Sequence, residues 1–180
     1  MKKIFLLAAM LFSVVTFAQS SDYEISKDDE NGAVVFKGEI SFEDLKKEPT
    51  FGWMNKGAAS YKPGKEDLKY LKEYLPQYEL VILMGTWCDD SQRLIPELYK
   101  ILQAANYPMA KVKMYGVNRA KETKNIEHKL YRLEKVPTII VYKDHSELGR
   151  IVENVKQSME GDLVELISND MEAAAGTDKK

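Results

Sequence analysis

The sequence predicts an α/β domain in which a mixed central sheet is covered by helices on both faces. Apolar runs of strand length alternate along the chain with segments whose apolar residues recur every three or four positions. The last two strand-like runs follow each other directly and precede a final helix, which adds a hairpin to strands that helices separate. The chain has 180 residues, 44% of them hydrophobic and 30% charged, which suits one domain with its own core.

In the first half of the chain the elements follow from local start and stop signals. Residues 19–32 are polar and acidic, which is typical of a flexible lead-in. The short helix after the first strand begins in a capping-box pattern of Ser41 and Asp44. Residues 50–64 combine aromatic side chains with glycine and proline, and this mixture predicts a loop packed on the core.

The second half of the chain carries clearer periodic signals. Leu80–Met84 is a continuous apolar run bounded by Gly85, as expected of a strand buried on both faces of a sheet. Residues 171–180 show no period and predict a disordered tail. The predicted elements are, in order, a strand over 33–40, a helix over 41–47, a helix over 65–75, a strand over 80–84, a helix over 91–105, a strand over 112–117, a helical stripe at Ile126, Leu130 and Leu133, strands over 138–142 and 148–152, and a helix over 158–167.

Residues 1–18 have the pattern of a secretory signal peptide. Lys2 and Lys3 precede an apolar run, and the small residues Thr16 and Ala18 stand before Gln19 at the positions that signal peptidase reads. The run is short for the roughly 20 residues of a membrane span, so an N-terminal anchor is the less favoured alternative. We therefore predict an exported protein, periplasmic or secreted, with no membrane association once the signal is cleaved.

The charge balance excludes several classes of partner. Removing Lys2 and Lys3 from the 26 basic residues leaves 24 against 28 acidic ones, a formal charge of −4. This balance argues against nucleic acid or an anionic membrane surface as a partner. The isolated histidines, His128 and His145, and a single cysteine offer no cluster for a metal, and no cofactor is expected.

Cys88 is the candidate for chemistry. It is the only cysteine in the chain, so it forms no intramolecular disulfide and stays free or pairs with another molecule. Its place between a buried strand and a helix start favours the thiolate, because unpaired N–H groups and the macrodipole attract negative charge there. Ser91, one turn on, can donate its hydroxyl to that thiolate. Asp89 and Asp90 disfavour a further negative charge beside them, so we expect a thiol less acidic than one flanked by neutral or basic residues.

These residues resemble the active site of the thioredoxin superfamily. Trp87 and Cys88 are similar to the family's W-C opening, and Ser91 stands where the family has its second cysteine, giving a W-C-x-x-S motif. Pro96, eight residues after the cysteine, matches the family's helix-kinking proline. The resemblance covers roughly 80–167 and implies a thioredoxin-like fold for the domain over 33–170, preceded by an N-terminal extension.

A second part of the resemblance lies far along the chain. Val136-Pro137-Thr138 opens the next-to-last strand and resembles the family's cis-proline segment, which faces the active-site sulfur. Two departures accompany it: Ser91 replaces the resolving cysteine, and Ile82 stands six residues before Cys88, where the family commonly buries an aspartate. Both departures remove the self-contained dithiol cycle.

The resemblance implies monothiol thiol–disulfide exchange of the reductase or isomerase type. Cys88 and Ser91 would be the reacting groups, while Trp87, Val136 and Pro137 would shape the surface on which a substrate docks. The expected partners are protein thiols and disulfides or small-molecule thiols. The alternatives are a redox-inactive module that binds peptides or partners, and a tether through a lasting mixed disulfide. One exposed thiol per chain also makes a disulfide-linked homodimer feasible.

Overall fold

The structure, a computed structural model, describes residues 22–177. The predicted signal peptide over 1–18 lies outside the described residues, as do 178–180 of the predicted tail. None of the helices within 22–177 is both long enough and apolar enough to cross a membrane.

Within residues 22–177, six strands form one mixed sheet: β1 (Tyr23–Lys27), β2 (Val34–Ile40), β3 (Glu79–Met84), β4 (Val112–Gly116), β5 (Thr138–Lys143) and β6 (Ser146–Val152). Their order across the sheet is β1-β2-β4-β3-β5-β6. Strands β3 and β4 pair in parallel, and the other four pairs are antiparallel. The two central strands therefore end at the same edge of the sheet, where β3 delivers the chain to Cys88.

In the described part of the chain, six α-helices accompany the sheet: α1 (Phe42–Lys47), α2 (Gly52–Ser60), α3 (Lys65–Tyr74), α4 (Asp89–Ala104), α5 (Glu127–Leu130) and α6 (Met159–Thr177). Short 3-10 helices at Leu75–Gln77 and Met109–Lys111 lead into β3 and β4. The mixed α/β architecture predicted from the sequence is confirmed. Ser41 and Asp44 form both hydrogen bonds of the predicted capping box at the start of α1.

The two faces of the sheet are covered unequally. Alternate residues of β3 point to opposite faces, and Leu80, Ile82 and Met84 enter the large core built with α1, α2, α3, α4 and α6. Val81 and Leu83 enter a smaller cluster, which Tyr131 and Leu133 help to cover just after α5. The predicted helical stripe over 126–133 is wrong: α5 has only one turn, and Ile126 and Leu130 are exposed.

The predicted flexible lead-in over 19–32 contains strand β1, so that part of the prediction is wrong. β1 pairs antiparallel with β2, and the Tyr23 ring lies 4.5 Å from that of Phe36. Pairing with the neighbouring strand and the packing of one side chain stabilise an edge strand even when its own sequence has no apolar run. Its other residues are exposed, which explains the polar composition that suggested a loose segment.

Two further predictions are corrected by packing. Residues 52–60 of the predicted loop form α2, whose Met54 is fully buried and whose Gly57 faces Pro96 of α4. The predicted disordered tail continues α6 to Thr177. Met171 accepts a hydrogen bond from Tyr70 (Oη to Sδ, 3.5 Å), so contacts with α3 extend the last helix beyond the periodic part of its sequence.

Candidate thiol site

Cys88 is the N-cap residue of α4 and lies at the end of the tight turn that follows β3. Its backbone is extended (φ −94°, ψ 125°), its N–H donates to the Gly85 carbonyl at 3.0 Å, and its carbonyl accepts from Gln92 N–H at 2.9 Å. The helix begins at Asp89, two residues before the predicted start. The thiol is half-buried and is not part of a disulfide. Local sequence therefore suffices to place the sulfur at the N-terminus of a 16-residue helix.

The segment around Val136 approaches the sulfur from the other side of the site. The Cys88 thiol donates to the Val136 carbonyl oxygen, with an Sγ···O distance of 3.5 Å, across 48 positions of sequence. The Val136–Pro137 peptide bond is cis, and both residues are buried. The Pro137 carbonyl accepts from Glu153 N–H at 2.8 Å, which anchors the segment to the residue after β6. The tertiary structure thus brings the two predicted halves of the site together.

Ser91 has a different partner from the one the spacing suggested. Its side chain is fully buried, and its Oγ accepts a hydrogen bond from Gly85 N–H at 3.2 Å. Among the described residues no hydrogen bond joins Ser91 to Cys88. The hydroxyl therefore holds the turn between β3 and α4 closed in this structure.

Trp87 is fixed beside the sulfur by three contacts. Its indole Nε1 donates to the Val117 carbonyl at 2.9 Å. A Cβ on Gly85 would lie 2.7 Å from Trp87 Cε2, so the ring packs directly against the glycine backbone. The guanidinium carbon of Arg119 lies 4.5 Å from the ring centroid, within cation–π range. The indole is left half-buried next to Cys88.

Arg119, which the sequence interpretation missed, is bound by two acidic residues of the turn between β1 and β2. Its Nε and Nη2 donate to both carboxylate oxygens of Asp28, at 2.8 and 3.0 Å, and its Nη1 lies 2.9 Å from Glu30 Oε2. These hydrogen bonds from Arg119 lower the pKa of Asp28, although burial opposes the effect. The same contact raises the pKa of Arg119, and the negative charges of Asp28 and Glu30 act in the same direction. The sequence does contain a signal for this turn: the pair Asn31-Gly32 lies between two strand-like runs, a pattern that predicts a hairpin.

Thr86 connects the turn before Cys88 to strand β2. Its buried Oγ1 donates to the Val34 carbonyl at 2.8 Å and accepts from Phe36 N–H at 3.3 Å. Gln92 Nε2 in turn donates to the Thr86 carbonyl at 2.8 Å. The residue before Trp87 is thus tied both to the sheet and to α4, which leaves the turn little freedom.

Most of the charged residues next to Cys88 and next to the Val136–Pro137 segment in sequence are paired. Asp90 accepts from Arg93 at 3.1 Å on the first turn of α4. Lys135 and Glu153, which flank the Val136–Pro137 segment, form an ion pair at 2.5 Å. Asp89 is exposed. The described residues contain no group of three or more His, Cys, Asp or Glu side chains placed to hold a metal ion.

Comparisons with known proteins concern the fold. No family model matches the sequence, and no curated protein matches it. The chain is similar to the crystal structure of a protein of unknown function from Pseudomonas aeruginosa, with a TM-score of 0.51 and 16% identity over 77% of this chain and 93% of that one. It is equally similar to an HIV epitope scaffold (TM-score 0.51, 14% identity, 72% of this chain and 99% of that one).

Thioredoxins are found at greater structural distance. Mitochondrial thioredoxin 3 of Saccharomyces cerevisiae, in its oxidized form, gives a TM-score of 0.37 and 19% identity over 63% of this chain and 98% of that one. The mixed sheet, the thiol at the helix start after β3 and the cis-proline segment opposite the sulfur agree with the resemblance drawn from the sequence. The fold is thioredoxin-like. A shared fold does not itself assign an activity, which has to be argued from the site.

Proposed function

We propose that this protein carries out monothiol thiol–disulfide exchange on exported protein substrates, with Cys88 as the nucleophile. The observation that carries the proposal is the 3.5 Å approach of the Cys88 sulfur to the Val136 carbonyl. This contact sets a half-buried thiol at a helix N-terminus against a buried backbone segment on which an extended substrate could pair. Trp87, Val136 and Pro137 form the proposed docking surface.

The reaction requires no second cysteine in this chain. The Cys88 thiolate attacks one sulfur of a substrate disulfide, forming a Cys88–substrate S–S bond and releasing the other substrate sulfur as a thiolate. In isomerisation, a substrate thiolate then attacks the substrate sulfur of that bond, forming a new substrate disulfide and returning the Cys88 thiolate. In reduction, a small-molecule thiol makes this attack, which returns the Cys88 thiolate and leaves a disulfide between the substrate and the small thiol. A second molecule of the thiol then attacks the small-molecule sulfur of that bond, releasing the reduced substrate and the small-molecule disulfide. Net oxidation is not available to a lone thiol.

The compartment belongs to the same proposal. The signal-like residues 1–18 support export to the periplasm or the exterior, where substrate disulfides are abundant. Isomerase-type work fits a lone thiol there, because it needs no continuous supply of electrons to the protein.

The test uses the chain beginning at residue 19, incubated with a disulfide-bonded peptide and analysed by intact mass under non-reducing conditions. We expect a Cys88–peptide adduct that disappears after mild thiol treatment and is absent from Cys88→Ala. Shuffling of a mispaired peptide disulfide should likewise require Cys88. A peptide that binds equally well to Cys88→Ala, with no adduct formed by the parent protein, would overturn exchange and support the binding-module alternative.

A further inference from the structure

The Trp87 indole is in contact with Arg119, a residue that takes no part in the proposed exchange reaction itself. Of the three contacts that hold the indole, the Val117 carbonyl and the Gly85 backbone fix its edge. The Arg119 guanidinium covers its ring at 4.5 Å. Because Trp87 directly precedes Cys88, the position of the indole decides the shape of the surface beside the sulfur.

Arg119 keeps its place because two carboxylates bind its guanidinium nitrogens. An arginine side chain carries several rotatable bonds, and an unrestrained one on the surface samples many conformations. Here the bidentate pair of hydrogen bonds to Asp28, at 2.8 and 3.0 Å, fixes the plane of the guanidinium. Glu30 occupies the remaining terminal nitrogen at 2.9 Å. All three guanidinium nitrogens therefore contact carboxylates.

Asp28 is itself anchored in the turn between β1 and β2. Its side chain is only 2% exposed, and its Oδ1 accepts from the N–H groups of Glu30 and Asn31 at 3.2 and 3.1 Å. The turn is closed by backbone hydrogen bonds from Asp28 N–H to the Ala33 carbonyl and from Gly32 N–H to the Asp28 carbonyl. A chain of direct contacts thus runs from the first hairpin through Arg119 to Trp87.

We propose that Arg119 and Asp28 are positioning residues for the reaction at Cys88, acting through Trp87 to shape the surface on which a protein disulfide docks. This inference rests on the proposed exchange function. It predicts a selective effect: a peptide disulfide, which must contact the docking surface, depends on the pair, whereas a small disulfide that reaches the sulfur alone does not.

The experiment uses a Trp53→Phe background, because the chain has two tryptophans and Trp87 then becomes the only one. Tryptophan emission and its quenching by acrylamide report the indole environment in Arg119→Ala and Arg119→Lys. The second-order rate of Cys88 is measured with a disulfide-bonded peptide and with bis(2-hydroxyethyl) disulfide. Arg119→Lys keeps a cation next to Asp28 but lacks the planar guanidinium, so the variant remains informative if Arg119→Ala does not fold.

We expect both variants to show stronger quenching of Trp87 and a peptide rate lowered by about tenfold, since misplacing a docking group costs up to on the order of 100-fold. The rate with bis(2-hydroxyethyl) disulfide should change by less than about twofold. Asp28→Asn should act in the same direction, and its effect should not add to that of Arg119→Ala, because both residues act on one indole. Lys156→Ala, which breaks an exposed ion pair with Glu165, is the matched control and should change neither readout.

The outcomes separate this inference from the function on which it rests. An unchanged peptide rate in folded Arg119 variants, or an equal loss with both disulfides, overturns the positioning role while exchange stands. Unchanged emission of Trp87 also overturns it. A parent protein that reacts with neither disulfide overturns the proposed function, and this inference falls with it even if the emission of the variants has changed.

Discussion

Gly57 of α2 faces the ring of Pro96 of α4 so closely that a Cβ on Gly57 would lie 2.7 Å from the Pro96 Cβ and 3.0 Å from its Cγ. Pro96 lies inside α4, the helix that begins at Cys88. Its ring has no N–H and cannot continue the helical hydrogen bonding at that point. The absence of a side chain at Gly57 lets α2 lie against this irregular part of α4, so the glycine serves close packing between the two helices.

Gly57→Ala is expected to destabilise the fold. Overpacking against the rigid proline ring costs about 1–3 kcal/mol, while the better helix propensity of alanine returns about 0.5–1 kcal/mol, so the net loss is up to about 2.5 kcal/mol, with a central value of about 1 kcal/mol. Gly52→Ala is the matched control at the start of the same helix, because nothing lies within 4 Å of a Cβ there. Urea unfolding measures both variants, and we expect a lower unfolding midpoint at an unchanged slope for Gly57→Ala but not for Gly52→Ala. Equal midpoints for the two variants would contradict the contact.

Glu160 is expected to be a strong determinant of stability because it is buried, at 4% exposure, and joins the start of α6 to the segment before α3. It accepts from Tyr61 Oη at 2.5 Å and from Gly64 N–H at 2.8 Å. Although burial opposes ionisation, these hydrogen bonds hold the pKa of Glu160 below its ordinary value. Its stabilisation is therefore present above the unfolded pKa and is lost as pH falls through the lower folded pKa.

Glu160→Ala leaves two donors unpaired and should lower the free energy of unfolding by about 2–3 kcal/mol near neutral pH. Glu165→Ala removes a carboxylate from the same helix whose partner, Lys156, is exposed, and should change it by less than about 0.5 kcal/mol. Denaturant titrations at neutral and acid pH provide the measurement. A Glu160→Ala penalty that does not shrink in acid would argue against the ionised carboxylate as its source.

The contact between Asp28 and Arg119 should give the Trp87 environment a characteristic pH dependence. Hydrogen bonds from Arg119 hold the pKa of Asp28 below its ordinary value of 3.8, so the ion pair persists above that value and breaks as pH falls through the lower folded pKa. In the Trp53→Phe background, Trp87 emission should be constant from about pH 8 to 5 and change only below about pH 4. Far-UV circular dichroism over the same range separates this step from acid unfolding. A midpoint above about pH 5, or an unaltered transition in Asp28→Asn, would refute the assignment.

Ser91→Cys should convert the monothiol site into a dithiol one. The new sulfur stands one helical turn from Cys88, in the W-C-x-x-C spacing that the site resembles, at the position where Ser91 Oγ now accepts from Gly85 N–H. Under a mild oxidant we expect a disulfide between Cys88 and the introduced thiol, seen as the loss of two hydrogens in the intact mass, and a gain of disulfide reductase activity when a reductant is supplied. Ser91→Ala offers the control, since it loses the same hydroxyl without adding a thiol. A Ser91→Cys protein that stays reduced would show that the two positions do not meet.

Much of the candidate site was accessible from local sequence. The apolar run of β3, the turn at Gly85 and the start of α4 place Cys88 at a helix N-terminus through signals that lie within a few residues of one another. The absence of a resolving cysteine is likewise a property of the sequence alone. Strand and helix periods encode such features because they depend on which side chains share a face of one element.

Other features were decided only by the tertiary structure. The approach of Val136 to Cys88 joins positions 48 residues apart, and that of Arg119 to Asp28 joins positions 91 apart. Asp28 lies in a polar segment whose composition predicts exposure to solvent. Only the pairing of β1 with β2 buries its side chain, at a position that Arg119 reaches from the segment after β4. Such contacts leave no period in the sequence, because they depend on strand order and on loops that meet at one edge of the sheet. The sequence therefore determined where the lone thiol lies along the chain, and the tertiary structure decided what surrounds it.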